Sequence, residues 1–303
     1  MTNTDKLKIA IIGSGNIGTD LMIKVMRSRH MVCTLFAGRN FNSAGMKRAS
    51  QLGVPISDRG IEAIVADPAI CDVVFDATSA QAHIGHWAVL QKLGKVVIDM
   101  TPAKLGEFCV PAINAQACLD TGSANINMIT CGGQSSIPIA YAIAQAHADI
   151  EYIEVASSIA SRSAGPATRA NLDEYIETTE DGLRRFSGAK RTKAILILNP
   201  ANPPIDMQTT IYAKIAEPDL PAIRAAVDAM VARLKTYVPG YQLIVPPTLE
   251  GGRVITTIKV MGAGDYLPQY AGNLDIINCA AIAMAELLAE AKHGKHTKER
   301  KHG

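Results

Sequence analysis

Apolar residues run in short unbroken stretches through the first half of the chain and alternate with polar ones through much of the second. LKIAII (7–12), MVCTLFAG (31–38), DVVFDATSA (72–80) and KVVIDMTPA (95–103) have the continuous character of strands buried on both faces of a parallel sheet. Between them, Ile17, Leu21, Met22, Val25 and Met26 repeat at helical spacing, and AHIGHWAVLQKLG reads as a helix holding His83 and His86 three apart. With no third ligand type nearby, those two read as packing or surface histidines. The stretch NINMITCGGQSSIPIAYAIAQA predicts a strand (Ile126, Met128, Ile129) running into a helix, with Ser135 or Ser136 as N-cap and Pro138 in its first turn. This alternation predicts a doubly wound parallel sheet over 1–131.

The pattern then changes. Runs at 151–165, 193–200, 206–215, 241–247 and 252–262 read as longer strands, several with the period-two alternation of a sheet covered on one face. Helices are expected at about 169–187 and 219–236, so 132–271 reads as an α+β domain. A last helix, 272–292, is apolar on most of its surface and is expected to pack back onto the first domain and complete it. Residues 293–303 lack apolar periodicity and read as a disordered basic tail.

Composition narrows the class. The 303 residues carry a net charge of +2, and the last twelve hold five Lys/Arg against one Glu, leaving the body slightly acidic. That excludes a basic nucleic-acid surface as the main feature. No apolar run approaches the length of a membrane span, and no secretory leader pattern precedes the first strand, so a cytoplasmic protein is expected. The six cysteines lack CxxC spacing, which argues for reduced thiols rather than a disulfide framework or a zinc site, and no metal is expected.

Two motifs carry chemistry. After the first strand comes GSGNIG, with Gly13, Gly15 and Gly18 at the dinucleotide-binding spacing and a helix behind it. One glycine makes the turn, one admits the pyrophosphate to the backbone, and one lets helix and strand close, while the helix N-terminus holds the phosphates. This makes the first domain Rossmann-type. The acidic residue that would grip the adenine ribose after the second strand is absent; Gly38, Arg39 and Asn40 stand there. Arg39 suits a 2′-phosphate or is a solvated loop residue, so NAD with NADP tolerated is the expectation. The second motif is Cys131-Gly132-Gly133 between strand and helix. A thiol there meets the positive end of a helix dipole, which favours the nucleophilic thiolate; the ordinary alternative is a buried core cysteine. Thr78, Ser79 and Thr101 fall at strand C-termini, the ligand edge of such sheets. The loop SAGPATRAN (163–171) offers a close backbone and a guanidinium for phosphate or carboxamide, or is an ordinary capped loop. Asn273 is either an N-cap or an amide contact to nicotinamide, and Cys279 reads as core.

Taken together, GSGNIGTDLMIK, FDATSA, NINMITCGGQ, SAGPATRANLDEYIETT, NPANPP and YLPQYAGNLDI resemble the acylating acetaldehyde dehydrogenases of meta-cleavage aromatic catabolism over roughly residues 7–290. The resemblance implies a Rossmann domain plus a dimerisation domain like that of glyceraldehyde-3-phosphate dehydrogenase. It implies conversion of acetaldehyde, coenzyme A and NAD⁺ to acetyl-CoA and NADH, in a homodimer complexed with a 4-hydroxy-2-oxovalerate aldolase that channels the aldehyde. By position Cys131 becomes the acyl-thioester nucleophile. Nucleotide contacts fall on Gly13, Ser14, Gly15, Asn16 and Ile17, on Ser163, Ala164, Gly165, Pro166, Ala167, Thr168, Arg169, Ala170 and Asn171, and on Asn273. The oxyanion donors are expected among the backbone N–H groups of residues 131–133.

The chain departs from that family at Gly38-Arg39-Asn40, where members often read Gly-Ile-Asp. It also has Thr209 and Thr210 where many carry an acidic residue near the Tyr212 strand position, with Asp206 in another register. Two rivals remain: a phosphorylating semialdehyde dehydrogenase, for which Arg169 is the visible phosphate ligand, and a non-catalytic NAD-binding redox sensor.

Overall fold

The computed structural model describes residues 6–299 and divides the chain into two compact units, Met1–Met128 with Ala281–Gly303, and Ile129–Ala280. The first unit runs β1 (Leu7–Ile12), α1 (Asn16–Arg27), β2 (Met31–Ala37), α2 (Ala44–Gln51), β3 (Ile56–Ser57), α3 (Glu62–Ala66), β4 (Val73–Asp76), α4 (Ala80–Leu90), β5 (Val96–Asp99), β6 (Glu107–Phe108), α5 (Pro111–Asp120) and β7 (Asn125–Asn127). The second runs α6 (Cys131–Ala146), β8 (Ile150–Ala160), α7 (Pro166–Ala170), α8 (Leu172–Ser187), β9 (Arg191–Asn199), β10 (Met207–Ile215), α9 (Leu220–Lys235), β11 (Tyr241–Glu250) and β12 (Arg253–Val260). A last helix, α10 (Gly272–Glu299), crosses from the second unit into the first.

The first sheet is parallel in every pairing, with order β3-β2-β1-β4-β5-β7-β6. Its strands are short and buried, and one face packs Ala10, Ile12, Leu35, Ala37, Val74 and Val97 against Ile64 and Leu90. The order reverses between β1 and β4, where doubly wound sheets take their ligands. The GSGNIG turn leaves β1 at that switch point, and Gly13 abuts Ala77, the residue after β4.

α10 corrects the sequence reading at its C-terminal end. It continues past residue 292 to Glu299. Of the expected tail, residues 300–303 lie outside the described residues.

Beneath the C-terminal edge of the first sheet, the two histidines do more than pack. His83 is fully buried, with Nδ1 2.9 Å from Asp76 Oδ2 and Nε2 3.3 Å from Asp99 Oδ2. His86 Nδ1 lies 2.8 Å from the same Asp76 oxygen, and Thr78 donates its backbone N–H and its hydroxyl to the other. Burial alone would raise the Asp76 carboxyl, but the hydrogen bonds from His83, His86 and Thr78 hold it down at about 2. Burial also opposes charge on His83, yet Asp76 and Asp99 raise its pKa. Burial pushes Asp99 up to about 6 against the pull of His83 and Thr101. Turning the Asn125 amide would aim its Oδ1, unpaired among the described residues, at Nε2–H, as a charged imidazole requires.

The second sheet is mixed, with order β11-β12-β10-β8-β9 and only β8–β9 parallel. Helices α6, α8 and α9 cover its inner face. On the outer face one cross-strand row runs Val245, Thr257, Thr210, Ala156, Ile195, a small centre flanked by two exposed aliphatic side chains. Ile197 beside it is 47% exposed.

The buried network fixes how stability should vary with pH. A histidine whose folded pKa exceeds the unfolded value of about 6.5 stabilises fully below that value and loses the contribution as pH rises through the folded pKa. His83→Gln should therefore cost about 3–5 kcal/mol near pH 6 and clearly less at pH 9 in denaturant unfolding. An equal cost at both pH values would contradict a charged imidazole between carboxylates.

Candidate active site

In the first unit the glycine turn is built by exclusion. Gly13 has φ +113°, and a Cβ there would strike the Ala77 carbonyl; a Cβ on Gly18 would strike the Gly13 carbonyl. Gly15 faces open space, with nothing within 4 Å of its Cβ position. It is also the N-cap of α1, supplies no capping side chain, and is followed by no acid in the first turn. A bare backbone at the positive end of a helix suits a pyrophosphate. Ser14 is held by Ser43, whose hydroxyl lies 3.2 Å from its own. Arg39 is exposed two residues past β2. Arg59 sits in the same register past β3, since Ala37 pairs with Ser57, and the sequence pattern alone did not expose that neighbour.

In the second unit Cys131 is the first residue of α6, and this corrects the expected boundary. Thr130 is the N-cap, accepting from the Gly133 N–H at 2.8 Å. Ser135 and Ser136 lie inside the helix and both donate to the Gly132 carbonyl, at 2.9 and 2.7 Å, while Pro138 lies well beyond the first turn. Ile129, just before the cap, is buried with φ +63°, a conformation a β-branched residue adopts only when its surroundings impose it. Its side chain is held close to the Gly133 and Gly182 positions.

Cys131 is 9% exposed as a residue, not the open surface group a reactive cysteine suggests. Burial raises its pKa, and hydrogen bonds from Tyr175 and from the backbone N–H groups of Gly132 and Cys131 oppose that rise without cancelling it. The expected lowering by the helix terminus is thus overturned: desolvation of the thiolate outweighs the donors. Those two N–H groups converge on the sulfur, whereas the Gly133 N–H is committed to Thr130. Tyr175 was not singled out in the sequence, where it is one apolar position of a helix; its Oη lies 3.7 Å from Cys131 Sγ.

Below the α6 turn the inner sheet face carries hydroxyls. Thr209 Oγ1 lies 3.1 Å from Ser135 Oγ and 2.9 Å from Ser157 Oγ. Asp206 instead pairs with Lys259 at 3.7 Å.

The loop after β8 begins with a 3₁₀ turn (Ser161–Ser163) and leads through Gly165 into α7. Ser163 donates to the Ala160 carbonyl, and the backbone at Gly165 faces open space. The Arg169 guanidinium folds back on this loop, Nε to the Ala164 carbonyl and Nη2 to the Ser161 carbonyl and hydroxyl, all at 2.9–3.0 Å. Asn171 precedes α8 without capping it through its side chain.

Asn273 is the second residue of α10, so it is not the N-cap. Its side chain is buried, and neither Oδ1 nor Nδ2 meets a partner among the described residues. A buried carboxamide with both ends unsatisfied fits a second carboxamide, such as that of a nicotinamide, which would take one hydrogen bond and return another. Cys279, expected in the core, is half-buried and donates to Asp275 Oδ2 at 3.6 Å.

Comparison with known proteins agrees with this arrangement. Residues 8–119 match the family model described as the semialdehyde dehydrogenase NAD binding domain, and residues 131–268 match that of prokaryotic acetaldehyde dehydrogenase, dimerisation. The acetaldehyde dehydrogenase of Pectobacterium atrosepticum is 73% identical over 97% of this chain and 100% of its own length. That of Spirochaeta aurantia is 55% identical over 95% and 96%. Among solved structures, aspartate semialdehyde dehydrogenase II of Vibrio cholerae superposes with a TM-score of 0.64 at 13% identity, over 94% of this chain and 99% of its own. The Candida albicans aspartate semialdehyde dehydrogenase with NADP gives 0.64 at 10%, over 92% and 99%, a likeness of fold. With a nucleotide-binding sheet in one unit, a cysteine at a helix start in the other, and relatives this similar over almost their whole length, the chain belongs to the acetaldehyde dehydrogenase family.

Proposed function

We propose that this chain is a coenzyme A-acylating acetaldehyde dehydrogenase that works through a Cys131 thioester. The observation that carries the reading is the Cys131 sulfur at the start of α6, faced by two backbone N–H groups and a phenol, in a chain so close to enzymes of that name. The thiolate adds to the aldehyde carbonyl, forming a carbon–sulfur bond and an oxyanion. The N–H groups of Cys131 and Gly132 are the donors placed to share that charge; Gly133 is removed from the set by its cap. A nicotinamide cofactor, when bound, supplies a hydride acceptor. Gly13, Ser14, Gly15, Asn16 and Ile17 would hold its phosphates, and Asn273 and the 163–171 loop its nicotinamide half. Loss of hydride from the thiohemiacetal carbon leaves an acetyl thioester on Cys131. The thiol of coenzyme A then attacks that carbonyl and releases the Cys131 thiolate.

The phosphorylating alternative needs a cationic pocket for inorganic phosphate. Its visible candidate, Arg169, is bound to its own loop by three hydrogen bonds. Membership of an enzyme family also weighs against a purely regulatory thiol.

The matched dimerisation model supports a homodimer, and the exposed Ile195, Ile197 and Val245 on the outer face of the second sheet offer that pairing a surface. An aldolase partner, channelling and a place in meta-cleavage catabolism rest on the sequence resemblance. A physical motive stands behind channelling, since acetaldehyde is small, volatile and reactive.

Cys131→Ala should lower coenzyme A-dependent NADH formation from acetaldehyde by about 10³-fold or more while leaving nucleotide binding intact. Turnover at a tenth of the wild-type rate would sink the thioester mechanism, and phosphate-dependent turnover without coenzyme A would favour the alternative.

If Arg39 meets the 2′-phosphate, Arg39→Asp should shift the NAD⁺/NADP⁺ ratio of kcat/KM toward NAD⁺ by about 1–3 kcal/mol. An unchanged ratio would assign Arg39 to solvent.

Light scattering on a sizing column should show a dimer for the chain alone, a smaller species for Ile195→Lys, and a hetero-oligomer on co-expression with the cognate aldolase. A dimer unaffected by Ile195→Lys would move the interface elsewhere. Separate elution of the two proteins would remove the stable complex.

A further inference from the structure

The Cys131 thiol touches a phenol whose position is built into the fold. Tyr175 Oη is 3.7 Å from Sγ, within range for a sulfur donor, and the ring is buried. Among the described residues, no histidine, carboxylate or ammonium group is hydrogen-bonded to that sulfur. The phenol reaches it because residue 132 is glycine: a Cβ there would overlap Tyr175 Oη.

Further contacts hold the phenol in register. Tyr175, Thr178, Thr179, Gly182 and Leu183 form the buried face of α8. Thr179 donates its hydroxyl to the Tyr175 carbonyl at 2.7 Å, so it must accept from Thr130, whose hydroxyl lies 2.7 Å away. Thr130 in turn caps α6, which ties the turn carrying Tyr175 to the turn carrying Cys131. Gly182 completes the approach: a Cβ there would come within 2.7 Å of Ile137 Cδ1, so α8 lies directly on α6.

We propose that Tyr175 is a catalytic hydroxyl of this enzyme, donating its proton in a hydrogen bond to the Cys131 thiolate. In the resting thiol, Sγ–H donates to Oη, as the structure shows. When the sulfur loses its proton to solvent, the phenol O–H turns and donates to the anion, and the phenol stays neutral. The same contact serves the sulfur again when coenzyme A displaces it from the thioester as a thiolate. The inference rests on the reading that Cys131 is the nucleophile.

The test follows the pH dependence of iodoacetamide alkylation at Cys131, read on its own peptide by mass spectrometry so that the other cysteines do not interfere. Tyr175→Phe keeps the ring and removes the hydroxyl, and should raise the alkylation midpoint by about one to two pH units, the size of a hydrogen bond to a charged group. It should also lower kcat/KM for acetaldehyde by about tenfold or more. A second variant, carrying 3-fluorotyrosine at position 175, makes the phenol a stronger donor and should move the midpoint down even if Tyr175→Phe folds poorly. A midpoint that moves in neither variant overturns the proposal. Alkylation needs no substrate, so that result leaves the proposed reaction standing, whereas loss of wild-type turnover with acetaldehyde and coenzyme A would reject the reaction and not the contact.

Discussion

The close approach of the Tyr175 phenol to the Gly132 backbone decides how the first turn of α6 can be built. Only a residue without a side chain leaves room for the hydroxyl, and only a helix lying directly on α6 can deliver it. Gly182 supplies that second condition, and Ile129 is held in a left-handed conformation between the two helices. Strain of this kind is commonly about 1–3 kcal/mol and survives where packing over-determines the chain. Here it places the cysteine at the first position of a helix, with its N–H and that of Gly132 turned to the sulfur.

Two electrostatic effects compete at that sulfur. A helix start and its N–H groups favour a thiolate, while burial penalises any charge. Burial wins in the resting protein, and the thiol stays above its ordinary pKa. The same enclosure would suit the proposed thioester, because a site that holds little water hydrolyses an acyl group slowly. A nucleophile kept protonated until its donors act is compatible with catalysis, and it also spares the sulfur from oxidation.

Much of the fold was legible because its signals are local. Buried parallel strands read as apolar runs, and the glycine spacing records steric demands that the structure shows at Gly13 and Gly18, where a Cβ would strike backbone. Cys131 was visible for a similar reason, since paired glycines after a strand mark a backbone that must turn sharply. The start of α6 was misplaced because Ser135 and Ser136 are good capping residues, yet Thr130 captured the Gly133 N–H first. The depth of the thiol and the phenol beside it were hidden, because both depend on how α8 packs, a contact 44 residues away along the chain. His83 was underrated for the same cause: its partners Asp76 and Asp99 end two different strands, and only the sheet brings them together.

The proposed reaction puts an acyl group on one sulfur, and trapping it is the direct measurement. Wild-type protein mixed with acetaldehyde and NAD⁺ in the absence of coenzyme A should form NADH in a single burst of one equivalent per active site. Mass spectrometry should then find acetyl on the peptide carrying Cys131 and lose it on addition of coenzyme A. A burst with no acetyl on Cys131, or acetyl on another cysteine, would contradict the mechanism.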